Sequence, residues 1–200
     1  MRSKIGFLAL AVCLLPAAWG ASIVYLNSSG VTDLSDGAAW DGGVAPGADD
    51  VAVFDGTIPA SLTVADGTAW SGMIRTNIVN AVTFAGGPLT LGADGITCFT
   101  ENDTYYRTTL PSVVLSAAQT WTIATNKTIA ASGSITGTGP LTVTARDAWN
   151  ILFYGNVEPS GGVLARGAVC FWVMHGAHFA QPPDMVYGTR ILFLADATGS

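Results

Sequence analysis

The sequence predicts an all-β protein, a right-handed parallel β-helix or solenoid of short strands with an N-terminal cap, preceded by a signal-peptide helix. Three observations support this fold class. Apolar-threonine-apolar triplets recur along the chain, turn residues follow one another every seven to twelve positions, and no segment after Ala21 carries a sustained apolar stripe of helical period.

The triplets define the expected strands. Side chains alternate between the two faces of a strand, so the flanking apolar residues share one face and the threonine takes the other. Threonine is β-branched and suits an extended backbone. The first and second triplets, and the fourth and fifth, begin twenty residues apart, a spacing typical of solenoid rungs. The five triplets are Leu62–Val64, Val82–Phe84, Leu89–Leu91, Trp121–Ile123 and Leu141–Val143.

Clusters of Gly, Asn and Asp separate these strands, as in Ala65–Gly67, Ala93–Gly95 and Gly137–Pro140. Such residues adopt the positive φ angles that tight corners require. Strands of only three residues favour a solenoid, in which each side of a rung is that short. A compact β-sandwich remains the alternative architecture.

The composition excludes several classes of protein. Half of the residues are hydrophobic and 11% are charged, against roughly 25% in an average globular protein. A coiled coil, a charged helical bundle and a basic nucleic-acid binder are therefore excluded. The net charge of −6 also disfavours nucleic acid and anionic lipid as partners.

The N-terminal segment has the three parts of a secretory signal peptide. Arg2 and Lys4 precede the uninterrupted apolar run Ile5–Leu15, and small residues follow Pro16. An apolar run of eleven residues is shorter than the roughly 20 that a transmembrane helix needs. We therefore expect cleavage after Gly20, a secreted or outer-surface location, and no transmembrane helix in the mature chain.

These patterns divide the chain into three regions: a signal peptide over residues 1–20, an N-terminal cap region over 21–60, and solenoid rungs over 61–200. The cap region is richer in aspartate than the rung region, and an exposed solenoid end needs such a cover. Within it, Val51–Phe54 is expected to be a strand that docks on the first rung.

Three stretches resemble the exported bacterial proteins with autotransporter-associated β-strand repeats. Trp40–Phe54 is similar to their N-terminal entry motif, with the glycine pair, the proline and the alternating Asp, Ala and Phe. Leu89–Ile96 is similar to their rung motif, and Gln119–Val143 to the repeat that begins Gln-Thr-Trp. The resemblance covers about residues 38–145 and implies a passenger-like parallel β-helix without catalytic residues.

The remainder departs from this pattern. Trp149–Ser200 matches the repeat poorly, and Phe171–His175 and Arg190–Leu194 are more continuously apolar, as strands covered on both faces are. We expect further rungs of a longer chain, so that the solenoid is incomplete at the C-terminus.

Few residues offer chemistry. Glycosidases need two carboxyl groups across a groove, and the nearest pairs are Asp49 with Asp50 and Glu101 with Asp103. Turn formation accounts for the first pair. The second precedes Tyr105–Arg107, and this loop could lie beside a sugar-binding groove or be an ordinary solvated loop. Lys127, the single lysine after the signal peptide, is placed in a turn.

No catalytic, cofactor-binding or metal site is predicted. His175 and His178 lie three residues apart, which on a strand puts them on opposite faces. Cys98 and Cys170 form either a disulfide or two buried thiols, and their apolar neighbours favour thiols.

The leading functional interpretation is an exported structural or adhesive solenoid of the bacterial surface or medium, without enzymatic activity. The alternative is a carbohydrate-active or glycan-binding module on the same scaffold. An extracellular glycan or a surface protein is the expected partner.

Overall fold

The protein is an all-β parallel solenoid of about six turns. The computed structural model describes residues 22–27, 29–99, 104–174, 176–186 and 188–193. The predicted signal peptide of residues 1–20 lies outside them. Leu26 forms an isolated antiparallel bridge with Trp40, whereas all the paired strands among the described residues are parallel.

The described strands are short, apart from a few that continue around a corner. One 3-10 turn, Gly37–Ala39, interrupts them. In chain order the strands are β1 Ser22–Tyr25, β2 Asp50–Asp55, β3 Ser61–Val64, β4 Ala69–Thr76, β5 Val82–Gly86, β6 Leu89–Cys98, β7 Tyr106–Leu110, β8 Val113–Leu115, β9 Gln119–Ile123, β10 Lys127–Ala131, β11 Ile135–Gly137, β12 Leu141–Phe153, β13 Val163–Val173, β14 Asp184–Met185 and β15 Arg190–Phe193.

Each turn contributes to three faces. Face A stacks β1, β2, the second half of β4 and β6, β9, the first half of β12 and β13, and β14. Face B stacks the first half of β4 and β6, β8 and β11. Face C stacks β3, β5, β7, β10, the second half of β12 and β13, and β15.

The threonine triplets confirm the predicted inside and outside of the wall. All ten flanking apolar residues are buried, each at 2% exposure or less, whereas the central threonines are half-buried or exposed. On face A the outward threonines form a row through paired strands: Thr97 pairs with Thr122, and Thr122 pairs with Thr144.

The rungs are longer than the triplet spacing predicts. Leu62 pairs with Phe84 and Trp121 pairs with Val143, so both of these rungs advance by 22 residues instead of twenty. The alternation of a strand has a period of two, and an offset of two residues therefore leaves the same side chains inside.

Hydrogen bonds of two buried side chains explain the Gln-Thr-Trp sequence. The Trp121 indole nitrogen donates to Gln119 Oε1 at 2.9 Å, and Gln119 Nε2 donates to the Leu91 carbonyl at 3.0 Å. The buried glutamine thus pairs the indole N–H and an amide carbonyl of the rung before it. Buried polar groups of this kind destabilise a core unless they are paired.

Close contact between rungs requires a glycine at the last position of β11. Gly137 has a φ of 116°, and a Cβ there would lie 2.2 Å from the Leu115 carbonyl oxygen of the rung before it. Only glycine fits this positive-φ position against the backbone.

The described N-terminal strands belong to the same stack of parallel strands as the rungs that follow. The strand predicted over Val51–Phe54 is β2, which pairs with β1 on one side and with β4 on the other. Trp40, Phe54, Trp70 and Phe84 form one aromatic cluster around Phe54, with contacting ring centroids 5.0–6.1 Å apart. The assignment of 21–60 as a cap stays a prediction.

The segment that departs from the repeat continues the stack. β13 pairs with β12 over both of its halves, and β15 follows on face C. Phe171 and Val173 are buried, but Trp172 between them is half-buried and Leu192 on β15 is 42% exposed. The prediction that these strands are covered on both faces is therefore wrong for their outer side.

Candidate functional site

A groove of about 450 Å³ opens on face C between the outer surfaces of β5 and β7. We call it the Tyr105 groove. Its floor consists of small side chains and two threonines, Thr83 and Thr109, which are paired in register across the two strands. The lining residues are Ala60, Ala81, Val82, Thr83, Tyr105, Tyr106, Arg107 and Thr109.

The two tyrosines differ in how firmly they are held. Tyr105 precedes β7 and is 44% exposed, so its ring is open to solvent. Tyr106 begins β7 and is half-buried, with the Lys127 ammonium 5.6 Å from its ring centroid. This cation–π contact restrains the Tyr106 ring from the inner side of the wall.

Lys127 is buried in the structure at 1% exposure. It begins β10, pairs in register with Tyr106, and its Nζ donates to the Thr104 carbonyl at 2.5 Å. One ammonium therefore fastens both the residue before Tyr105 and the ring of Tyr106. Placing Lys127 in a turn missed this role, although period-two alternation through Ile129 and Ala131 puts it on the inner face.

Arg107 lines the groove and has one buried nitrogen without a partner among the described residues. Its side chain is half-buried, and its Nε is buried without a hydrogen-bond partner among the described residues. Thr128, its registered neighbour on β10, likewise has a buried Oγ1 without a partner in the described part of the chain. Two adjacent polar atoms without partners are uncommon inside a folded protein and call for a physical explanation.

The predicted carboxylate pairs fall in different places. Glu101 and Asp103 lie outside the described residues. Asp50 begins β2 on face A, where its Oδ2 accepts a hydrogen bond from the Gly47 amide at 2.8 Å. This bond closes the turn that the sequence indicated, and Asp50 belongs to a different face from the Tyr105 groove.

The histidines provide no metal centre among the described residues, where no group of three potential ligands gathers. His175 lies outside those residues. His178 is exposed, with its Nε2 3.4 Å from Glu158 Oε1. This is a solvent-exposed ion pair when the histidine is protonated, and pairs of this kind contribute little to stability.

Both described cysteines are free and buried, which confirms the thiol interpretation. Burial raises the pKa of Cys98 to about 11, against opposing effects of Arg75, Thr108 and Lys127. Burial also raises the pKa of Cys170. Reactive cysteines need a lowered pKa and access to solvent, so neither thiol has the properties of a nucleophile.

A second buried cation lies at the same corner two rungs earlier. Arg75 is fully buried, and its Nη2 donates to the Asn80 carbonyl at 2.7 Å. Its Nε and Nη1 have no hydrogen-bond partner among the described residues. Burial lowers the pKa of Arg75 to about 10, and Cys98, its registered neighbour, opposes that change.

No family model, characterised protein or solved structure matches the chain. Within the described part of the chain, no helix is both long and apolar enough to cross a membrane.

Proposed function

We propose that the protein is an exported structural or adhesive β-solenoid of the bacterial surface or medium, related to the autotransporter-associated repeat proteins and without catalysis of its own. The observation that carries this proposal is the repetition of the fold. About six parallel turns stack in register around a continuous apolar core. Such a column presents long, regular outer faces whose area grows with each rung, as in other repeat proteins that act as binding scaffolds.

The polar outer surface of the solenoid supports an adhesive role. Face A presents the row of Thr97, Thr122 and Thr144, in which hydroxyl and methyl groups repeat at the spacing of neighbouring strands, about 4.8 Å. The row ends at Arg166, an exposed residue that pairs in register with Thr144. Regular polar surfaces of this kind suit contact with other extended polymers. Export is a separate part of the proposal and depends on residues 1–20.

Fractionation of the bacterium that encodes the protein tests export. We expect a chain that begins at Ala21 in the medium or on the outer surface, and intact protein in the cytosol would overturn export. Adhesion is tested by coating beads with the mature protein and measuring attachment to cells and to extracellular matrix. Attachment no greater than that of uncoated beads would overturn the adhesive role.

The Tyr105 groove favours a second candidate, a glycan-binding module. Sugar-binding sites commonly combine an exposed aromatic ring, which covers the apolar face of a sugar, with polar side chains that pair with its hydroxyls. Tyr105, Tyr106, Arg107 and the two threonines supply both within one groove.

Tyr105→Ala tests this candidate against a matched control. Tyr25 is equally exposed at 44% but lies on face A, so Tyr25→Ala removes the same ring from a site remote from the groove. We expect Tyr105→Ala to weaken binding in a polysaccharide panel at least tenfold, while Tyr25→Ala leaves it unchanged. Equal effects of the two variants would contradict binding in the groove.

A further inference from the structure

We infer that the Tyr105 groove takes an acidic sugar, in which Arg107 binds the carboxylate of a uronate unit while Tyr105 covers the ring of the same or the adjoining unit. This inference rests on the glycan-binding candidate and specifies its ligand class. The observation behind it is the position of Arg107, whose half-buried side chain lines the groove together with the exposed ring of Tyr105. Its Nε is buried, so the terminal nitrogens of the guanidinium are the ones that can face a ligand.

The chemistry of arginine selects the ligand. A guanidinium offers five N–H donors in a planar fork and accepts nothing, so an oxygen acceptor is its natural partner. A carboxylate matches the fork with two parallel hydrogen bonds, which are about twice as strong as bonds between neutral groups. A neutral sugar supplies hydroxyl oxygens without that charge or that geometry.

The described lining contains no competing carboxylate. Its polar side chains are two tyrosines, two threonines and Arg107, and the second nearby cation is Lys127 beneath Tyr106. The chain as a whole carries a net charge of −6, which repels an acidic ligand at long range. Screening over about 8–10 Å at physiological salt weakens that repulsion, whereas contact with Arg107 is screened much less.

The groove is held in a fixed shape before any ligand arrives. Lys127 fastens the Thr104 carbonyl and the Tyr106 ring, and Arg107 follows directly on β7. Side chains that are already ordered lose less conformational entropy on binding, so a small groove can bind with useful affinity. Lys127 is a positioning residue in this scheme because it faces inward.

The test uses the mature protein with two probes, a tetrameric uronate and its carboxyl-reduced counterpart, titrated by calorimetry. We expect the uronate to bind at least tenfold more tightly. Arg107→Gln should weaken uronate binding roughly 10- to 100-fold, the range for a hydrogen bond to a charged group, and leave the reduced sugar unchanged. Arg107→Lys retains the charge without the fork and should recover only part of the affinity. Circular dichroism establishes that each variant is folded.

Arg166 provides the matched control, because it is an exposed arginine on the face A part of β13. Arg166→Gln should leave uronate binding unchanged, and an equal loss in both arginine variants would overturn the inference in favour of non-specific charge. Equal binding of the two probes, with both weakened by Tyr105→Ala, would overturn the acidic ligand and leave glycan binding standing. No binding of either probe, nor of the polysaccharide panel, would overturn both.

Discussion

Lys127 and Arg75 are buried cations on the same corner of the solenoid, between faces A and C, and their surroundings differ. Lys127 Nζ lies 2.5 Å from the Thr104 carbonyl and 5.6 Å from the centre of the Tyr106 ring. Arg75 donates through Nη2 to Asn80, with the carbonyl at 2.7 Å and Oδ1 at 3.3 Å, and its other two nitrogens have no partner among the described residues.

This difference separates a cation whose burial is compensated from one whose burial is largely uncompensated. A buried charge destabilises a fold unless hydrogen bonds and opposite charges compensate for lost hydration. Lys127 is compensated, and the groups that it contacts are those that shape the Tyr105 groove. Arg75 is compensated at one nitrogen of three, and its contact closes the corner at Asn80, which itself donates to the Ile58 carbonyl at 2.8 Å.

The largest effect is expected for Lys127→Ala. Removing the ammonium breaks a charged hydrogen bond and a cation–π contact, and the relief of a buried charge offsets part of that loss. We expect the free energy of unfolding to fall by about 2 kcal/mol. Denaturant titration measures this change, and Arg166→Ala on the exposed wall should change stability by less than about 0.5 kcal/mol. A Lys127→Ala variant as stable as the parent would show that the ammonium is not compensated.

The wall of the solenoid could be predicted because its pattern is local. In Leu62–Val64 and Trp121–Ile123 the alternation alone decides which side chains enter the core, and the structure buries those residues. The number of residues in a rung could not be predicted in the same way. A shift of two residues preserves the alternation of buried and exposed side chains. The sequence pattern therefore cannot distinguish the observed pairing of Trp121 with Val143 from a pairing with Leu141.

The candidate site was only partly visible in the sequence. The sequence indicated that the loop before Tyr105–Arg107 could border a sugar-binding groove, and the structure places these three residues in one groove. The sequence indicated no role for Arg107. The buried position of Lys127 and the pairing of Arg107 with Thr128 depend on which strands become neighbours. Such neighbours are about 21 residues apart in sequence, beyond the reach of local spacing rules.

A smaller effect of opposite sign is expected for Arg75→Met. The thioether side chain fills similar space without a charge or unpaired N–H groups, and buried ionic groups replaced in this way often leave stability unchanged or improve it. We expect a gain of about 1 kcal/mol, measured as a higher denaturant midpoint with an unchanged slope. Arg75→Ala would leave a cavity and is expected to be less stable than the methionine variant. A clear loss in Arg75→Met would indicate that the guanidinium is fully paired in solution.

The smallest effect under ordinary conditions concerns Cys98, which lies in register with Arg75. Its pKa is raised from 9.0 to about 11 by burial, so the folded protein keeps the thiol proton in a range where the unfolded chain has lost it. Stability is therefore unaffected by this thiol below about pH 9 and declines as the pH rises from 9 through about 11. Cys98→Ala should flatten this decline when thermal unfolding is followed across that range. Other side chains also change charge in this pH range, so the quantity to compare is the difference in stability between parent and variant at each pH. Parallel curves would show that the thiol ionises as readily in the folded protein as in the unfolded chain.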